Sequence, residues 1–327
     1  MKNKLIALSL LAVFCLFGLC ACTDFLYYPN SEAYAIGSCD NVGEIQNLSV
    51  DWSAGKVNVV FADVDTVSVK EESATALTDD MQMRWLVEDG TLKIHFSAVG
   101  LLTAARCSNL HKTLTITLPN ALVLSAFDVS LASSDLHTDP FSAKSVRVSS
   151  ASGNLDVSVI SADDVRLLSS SGTIQANVVS TPSLEISTSS GTVHAEIGSA
   201  DRLTLSSSSG TVNATVDSSD MLCASTSSGR FSLVAENVGI FQGSSSSGDV
   251  QATVGTGLSS ADISTSSGSV LLYLPKSLGF TLEESTGSGR FDCDFPLVTK
   301  DGTHVCGDGA AKLDISTSSG HIGVYQK

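Results

Sequence analysis

The sequence predicts an all-β protein, an elongated β-solenoid, from three observations. Glycines recur at a fixed interval, apolar residues alternate with polar ones on both sides of each glycine, and the recurrent units are too small to fold alone. The tripeptide Ser-Ser-Gly occurs seven times, ending at Gly172, Gly191, Gly210, Gly229, Gly248, Gly268 and Gly320. Ala151-Ser152-Gly153 and Gly287-Ser288-Gly289 are variants of it. From Gly153 the spacings are 19, 19, 19, 19, 19, 20, 21 and 31 residues. Counting outward from Gly191, Leu184, Ile186, Val193, Ala195 and Ile197 occupy every second position, with Thr192, His194 and Glu196 between them. Period-two alternation marks strands with one buried face. A unit of 19 residues cannot bury that face alone, whereas stacked units bury it against each other. A right-handed β-helix of about twelve coils is expected, with rungs about 4.8 Å apart.

Within each unit the glycine is read as a corner that takes a positive φ. The hydroxyl residues three and one positions before it fall on the inward parity. Thr188 and Ser190 are examples. They are read as ladders bonding to backbone inside the bend, not as nucleophiles. The phase extends upstream. Ser134 replaces the glycine in one unit, and Gly55 and Gly90 anchor wider early coils that carry Trp85, Phe61 and Phe96.

The N-terminus reads differently. Lys2 and Lys4 precede an apolar run from Leu5 to Leu19, which ends in Leu19-Cys20-Ala21-Cys22. This is the layout of a secretory signal, and about 15 apolar residues are short for a membrane span. Leu-x-Ala-Cys resembles the bacterial lipobox, with Cys22 as the lipid-bearing residue. The expected organisation is a lipoprotein signal peptide over 1–21 and a lipidated Cys22 with a tether over 22–45. Irregular coils follow over 46–125 and regular coils of 19–21 residues over 126–292. An insertion and a closing coil occupy 293–327. Such a chain belongs at the bacterial membrane, lipid-anchored and facing away from the cytoplasm.

Composition narrows the function. Acidic residues outnumber basic ones 34 to 18, for a formal net charge of −16. That balance excludes a nucleic-acid partner and flat binding to an anionic membrane. About one residue in six is serine. The six histidines are scattered, and outward positions are mostly Ser, Thr, Asn and Gln. His194 and Glu196 share a face, which reads as a solvated strand surface before it reads as a metal site. No catalytic residue, metal or cofactor is expected, because general acid–base chemistry needs paired acids and bases on one face. Cys293 and Cys306 flank the late insertion and could close it with a disulfide; Cys39 and Cys107 form a second conceivable pair, and Cys223 is left over.

Several stretches together carry a family resemblance. They are the lipoprotein signal, Leu48-Ser-Val-Asp-Trp-Ser-Ala-Gly-Lys-Val-Asn-Val, Leu118-Pro119-Asn120-Ala121-Leu122, its echo Leu274-Pro275-Lys276-Ser277-Leu278, and the Ser-Ser-Gly-x-[Val/Ile] units. Residues 45–327 resemble the bacterial putative-adhesin family of β-strand repeats, related to LiaG-like envelope proteins. The resemblance implies a β-solenoid in the cell envelope and brings no catalytic residues. Two functions stay open. One is a surface-binding module for a glycan or matrix protein. The other is an envelope structural or stress-signalling accessory that binds a membrane-associated protein. End-to-end assembly is a lesser third.

Overall fold

The structure, a computed structural model, describes residues 27–107, 109–300 and 302–327. The signal-peptide residues and Cys22 lie outside the described residues. The chain divides into two compact units, up to Val157 and from Ser158 onward. Both are built from parallel β-rungs, so the all-β solenoid expectation holds.

The first unit contains β1 (Ala35–Ile36), β2 (Asn47–Ala62), β3 (Ser68–Ser73), β4 (Arg84–Glu88), β5 (Thr91–His95), a short helix α1 (Leu101–Cys107), β6 (Lys112–Pro119), β7 (Leu124–Thr138) and β8 (Phe141–Ser152). β9 (Leu155–Ser161) carries the chain into the second unit. The rung order departs from chain order. β2 lies between β7 on one side and β5 with β6 on the other, all in parallel register. Alternation along β2 sends Leu48, Val50, Trp52, Val57 and Val59 into the core, each at most 1% exposed. Antiparallel β4 covers β5 and antiparallel β3 covers β6. These antiparallel strands stop the parallel ladder, because an uncovered edge would pair with another chain.

Two upstream expectations change here. Gly90 is not a solenoid corner. Asp89 (φ +50°) and Gly90 (φ +70°) form the two-residue turn between β4 and β5. Asp-Gly is the sequence mark of such a hairpin, since both central residues need positive φ. Residues 28–45 are not a free tether either. β1 pairs with β4, Cys39 bridges to Val69, and Tyr28, Tyr34, Val42 and Ile45 are buried. Those four supply the apolar contact that offsets the entropy of ordering the segment.

The second unit contains β10 (Asp164–Ser169), β11 (Thr173–Thr188), β12 (Thr192–Ser207), β13 (Val212–Thr226), β14 (Phe231–Ser245), β15 (Val250–Val254), β16 (Ser260–Thr265), β17 (Val270–Leu274), β18 (Phe280–Thr286), β19 (Phe291–Cys293), β20 (Val298–Lys300), β21 (Thr303–Cys306), β22 (Ala311–Thr317) and β23 (Ile322–Gln326). From β11 to β14 each paired residue has its parallel partner 19 positions on, as Leu184 has Leu203 and Leu203 has Leu222. Identical columns therefore stack. The inward ones hold Leu184, Leu203, Leu222 and Phe241, all at most 1% exposed.

The corners work otherwise than expected. Gly55, Gly153 and Gly172 have φ between +106° and +118°, but Gly191, Gly210, Gly229, Gly248, Gly268, Gly289 and Gly320 do not have positive φ. Their reason for being glycine is space. A Cβ on any of these seven would sit 1.6–2.0 Å from the carbonyl oxygen of the glycine stacked against it. The hydroxyl three residues earlier accepts the glycine N–H at 2.8–3.1 Å in all seven corners. That residue is inward, as Thr188 at 1% exposure shows. The serine just before the glycine is not: Ser190, Ser209, Ser228 and Ser247 are exposed, because the bend breaks the parity. Thr188→Val keeps the shape and strands a buried N–H. It should cost about 1–3 kcal/mol in urea unfolding, and an unchanged midpoint would discount the hydroxyl ladder.

The C-terminal segment does not close the stack. β22 pairs with β16 on one side and β18 on the other, and β23 lies between β17 and β19. Gly320 stacks on Gly268, and Gly289 stacks on Gly320. The outermost pairing of β18 is with antiparallel β21.

Candidate ligand-binding surface

Outward columns of the second unit are lined by small hydroxyls bonded from rung to rung. Ser199 Oγ donates to Ser180 Oγ at 3.0 Å on an exposed column, whereas the like bond from Ser206 Oγ to Ser187 Oγ, at 2.7 Å, is buried. Each bond satisfies its side chains within the sheet. His194 and Glu196 are exposed on β12, beside Asn213 and Thr215 on the next rung. Among the described residues, no three His, Cys, Asp or Glu side chains converge for a metal.

Insertion of β22 and β23 assembles two groups that sequence order keeps apart. Asp314 stands beside Asp262 on one side and Glu283 on the other. Burial, and next the Asp314 charge, push the Asp262 carboxyl above its usual range. Like charges on adjacent rungs destabilise a sheet. On another outward column Tyr273 pairs with Tyr325, with ring centroids 5.6 Å apart. His321 Nε2 lies 2.9 Å from the Tyr325 hydroxyl, and Asp292 Oδ2 lies 3.1 Å from Arg290 Nε. Neither group is visible in sequence, because Tyr273 and Tyr325 are far apart in the chain and the usual interval does not join them. The only signal was the irregular last spacing.

The first unit holds a buried ion pair that sequence reading missed. Lys112 occupies the corner position aligned with Gly55, yet its side chain is fully buried. Its Nζ lies 2.5 Å from Glu71 Oε1, donates to the carbonyls of Met81 (2.8 Å) and Phe96, and sits 4.0 Å from the Phe96 ring centroid. Burial holds the ammonium below the usual lysine range, while the Glu71 charge pulls the other way. The Glu71 carboxylate also accepts the Met83 N–H at 3.0 Å. The arrangement ties β3 and β6 to the segments at Met81–Met83 and Phe96, which is a structural role. Glu71→Gln should cost about 3–5 kcal/mol in chemical unfolding, since it leaves a buried ammonium without its counter-charge. Full retention of stability would mean that the carbonyls suffice.

All five described cysteines are free thiols. Cys39 is not joined to Cys107, nor Cys293 to Cys306. Cys293 pairs with Val324 on β23, while Cys306 faces Phe280 on β18. The two sit on different columns, and burial raises both thiols above the usual range.

The Toastrack DUF4097 family model matches residues 45–259, about two thirds of the chain. The chain belongs to the Toastrack DUF4097 family. No curated protein matches the sequence. Solved structures similar to it include a "putative adhesin" from Parabacteroides distasonis, at 12% identity over 89% of this chain and 96% of that one, with a TM-score of 0.49. A "putative cell adhesion protein" from Clostridium sporogenes is 12% identical over 90% of this chain and 99% of that one, with a TM-score of 0.22. A "putative adhesin" from Bacteroides fragilis is 12% identical over 89% and 96%, with a TM-score of 0.29. The Toastrack match ends before β16, so the Tyr273–Tyr325 pair lies beyond the matched residues. No helix among the described residues is long and apolar enough to cross a membrane.

Proposed function

We propose that this Toastrack protein is a non-catalytic binding module of the bacterial cell envelope. It is anchored by lipid on Cys22 and presents its outward β-faces to a glycan or matrix protein. The observation that carries this reading is the state of the outward side chains. The exposed hydroxyls of Ser180 and Ser199 are bonded to each other, and the outward acid column at Asp262, Asp314 and Glu283 has no histidine in it. Such a surface offers many weak contacts, and display of many copies on one membrane multiplies them. The Leu19-Cys20-Ala21-Cys22 pattern supports the anchor.

The test uses the full chain expressed in bacteria and reconstituted into liposomes, which are passed over immobilised glycans and matrix proteins. Saturable, competable capture is expected. A blank array from folded protein would overturn the binding reading. Cys22→Ser should move the chain from the membrane to the soluble fraction, and unchanged fractionation would remove the lipid anchor.

A further inference from the structure

We infer that the outward face of β17, β23 and β19 is a subsite for a neutral pyranose, with Tyr325 and Tyr273 as its floor; this rests on the binding-module reading and names the ligand class. Three observations carry it. The first is the ring pair. The second unit has two tyrosines, and both lie on adjacent rungs of one column, at 5.6 Å and an interplanar angle of 39°.

The second is Gly323. Its column carries Gln175, His194, Asn213, Ser232, Gln251 and Leu271 on one side and Asp292 on the other. A Cβ at Gly323 would sit 2.4 Å from Cε2 of Tyr325. The missing side chain lets the tyrosine ring lie down on the strand, one face against the backbone and the other outward. A glycine inside a strand weakens it and often marks a close approach. Here the weakness is spent on laying an aromatic ring flat.

The third is the polar rim. His321 Nε2 is 2.9 Å from the Tyr325 hydroxyl, and His321 Nδ1 is 3.2 Å from the Arg290 carbonyl, so the hydroxyl is held in place. Arg290 and Asp292 remain 74% and 47% exposed and pair at 3.1 Å. They offer donors and acceptors beside the rings.

The outward face of a tyrosine ring and a rim of donors and acceptors complement a pyranose, which has one face of C–H groups and an edge of hydroxyls. A phosphate or sulfate fits poorly, because the Asp292 carboxylate already pairs with the one guanidinium of Arg290.

The test is a tyrosine-labelled NMR titration of the folded full chain in detergent. The probes are methyl β-glucopyranoside, methyl β-galactopyranoside, cellobiose and chitobiose at millimolar concentration. Saturable shifts of the Tyr273 and Tyr325 ring signals are expected with at least one probe. Tyr325→Ala and the exposed-site change Arg290→Gln should each weaken that binding about tenfold or more. If Tyr325→Ala perturbs the fold, Arg290→Gln and Tyr325→Phe carry the comparison. Absence of ring shifts with all four probes, or equal binding by the variants, overturns the subsite. The liposome array separates the two readings: a matrix-protein hit unaffected by Tyr325→Ala keeps the binding module and removes the saccharide site.

Discussion

A chain ending at Gly309 will lose the native order of everything from β16 to β21. β22 and β23 are not a cap that can be trimmed. Each is hydrogen-bonded on both sides: β22 to six residues of β16 and seven of β18, and β23 to five of β17 and three of β19. Leu313, Ile315, Ile322 and Val324 are at most 2% exposed, and burial of each contributes about 1.5–3 kcal/mol. Their combined loss approaches the whole stability of an ordinary domain, about 5–15 kcal/mol. Hydrogen exchange should show residues 260–306 unprotected in the truncated chain. β11 to β13 should stay protected, because stability in stacked repeats depends on near neighbours. Adding a peptide of residues 310–327 should restore protection. The opposing result is specific. If β18 pairs directly onto β16, as the 21-residue spacing from Gly268 to Gly289 invites, residues 260–286 will be protected without the peptide.

Gly210→Ala is the second change with a large expected effect. The new Cβ would lie 1.7 Å from the Gly191 carbonyl oxygen. Both groups belong to backbone pinned by parallel pairing, so relief requires the rungs to part at the corner. Overpacking of a rigid site typically costs about 1–3 kcal/mol and occasionally more; here the upper end is expected. Gly257→Ala is the control. Its Cβ would meet nothing closer than 3.5 Å, and its φ is not positive. Thermal unfolding should separate the two clearly. Equal behaviour would mean that the corners tolerate a methyl group and that stacking does not require glycine there.

The glycines illustrate how far the sequence could be read. Their spacing marked the corners, and the alternation around them identified the buried columns, such as Leu184, Leu203, Leu222 and Phe241. The reason for glycine was misassigned, because positive φ is a property of one residue whereas the clash with a stacked carbonyl needs two rungs. The serines before the glycines were misassigned for a related reason. Parity holds along an extended strand and fails at a bend. Gly90 was readable as a hairpin from Asp89-Gly90, but the apolar residues around it also fit a coil. Lys112 could not be found, since a lysine at a corner reads as solvent-exposed until Glu71 is brought against it.

The sequence by itself determined the all-β solenoid, the inward columns and the hydroxyls that hold the corners. These depend on alternation and on identical residues meeting themselves one rung away. Tertiary structure alone decided the order of the rungs at the start and end of the chain. It put β2 between β6 and β7, placed β22 and β23 inside the stack, and so brought Tyr325 beside Tyr273 and Asp314 beside Asp262. The physical reason is that any parallel rung with the right alternation can follow any other. Which one does is settled by covering the exposed edges, and that is accomplished by antiparallel strands, β4 from next to β5 in the chain and β3 from far before β6.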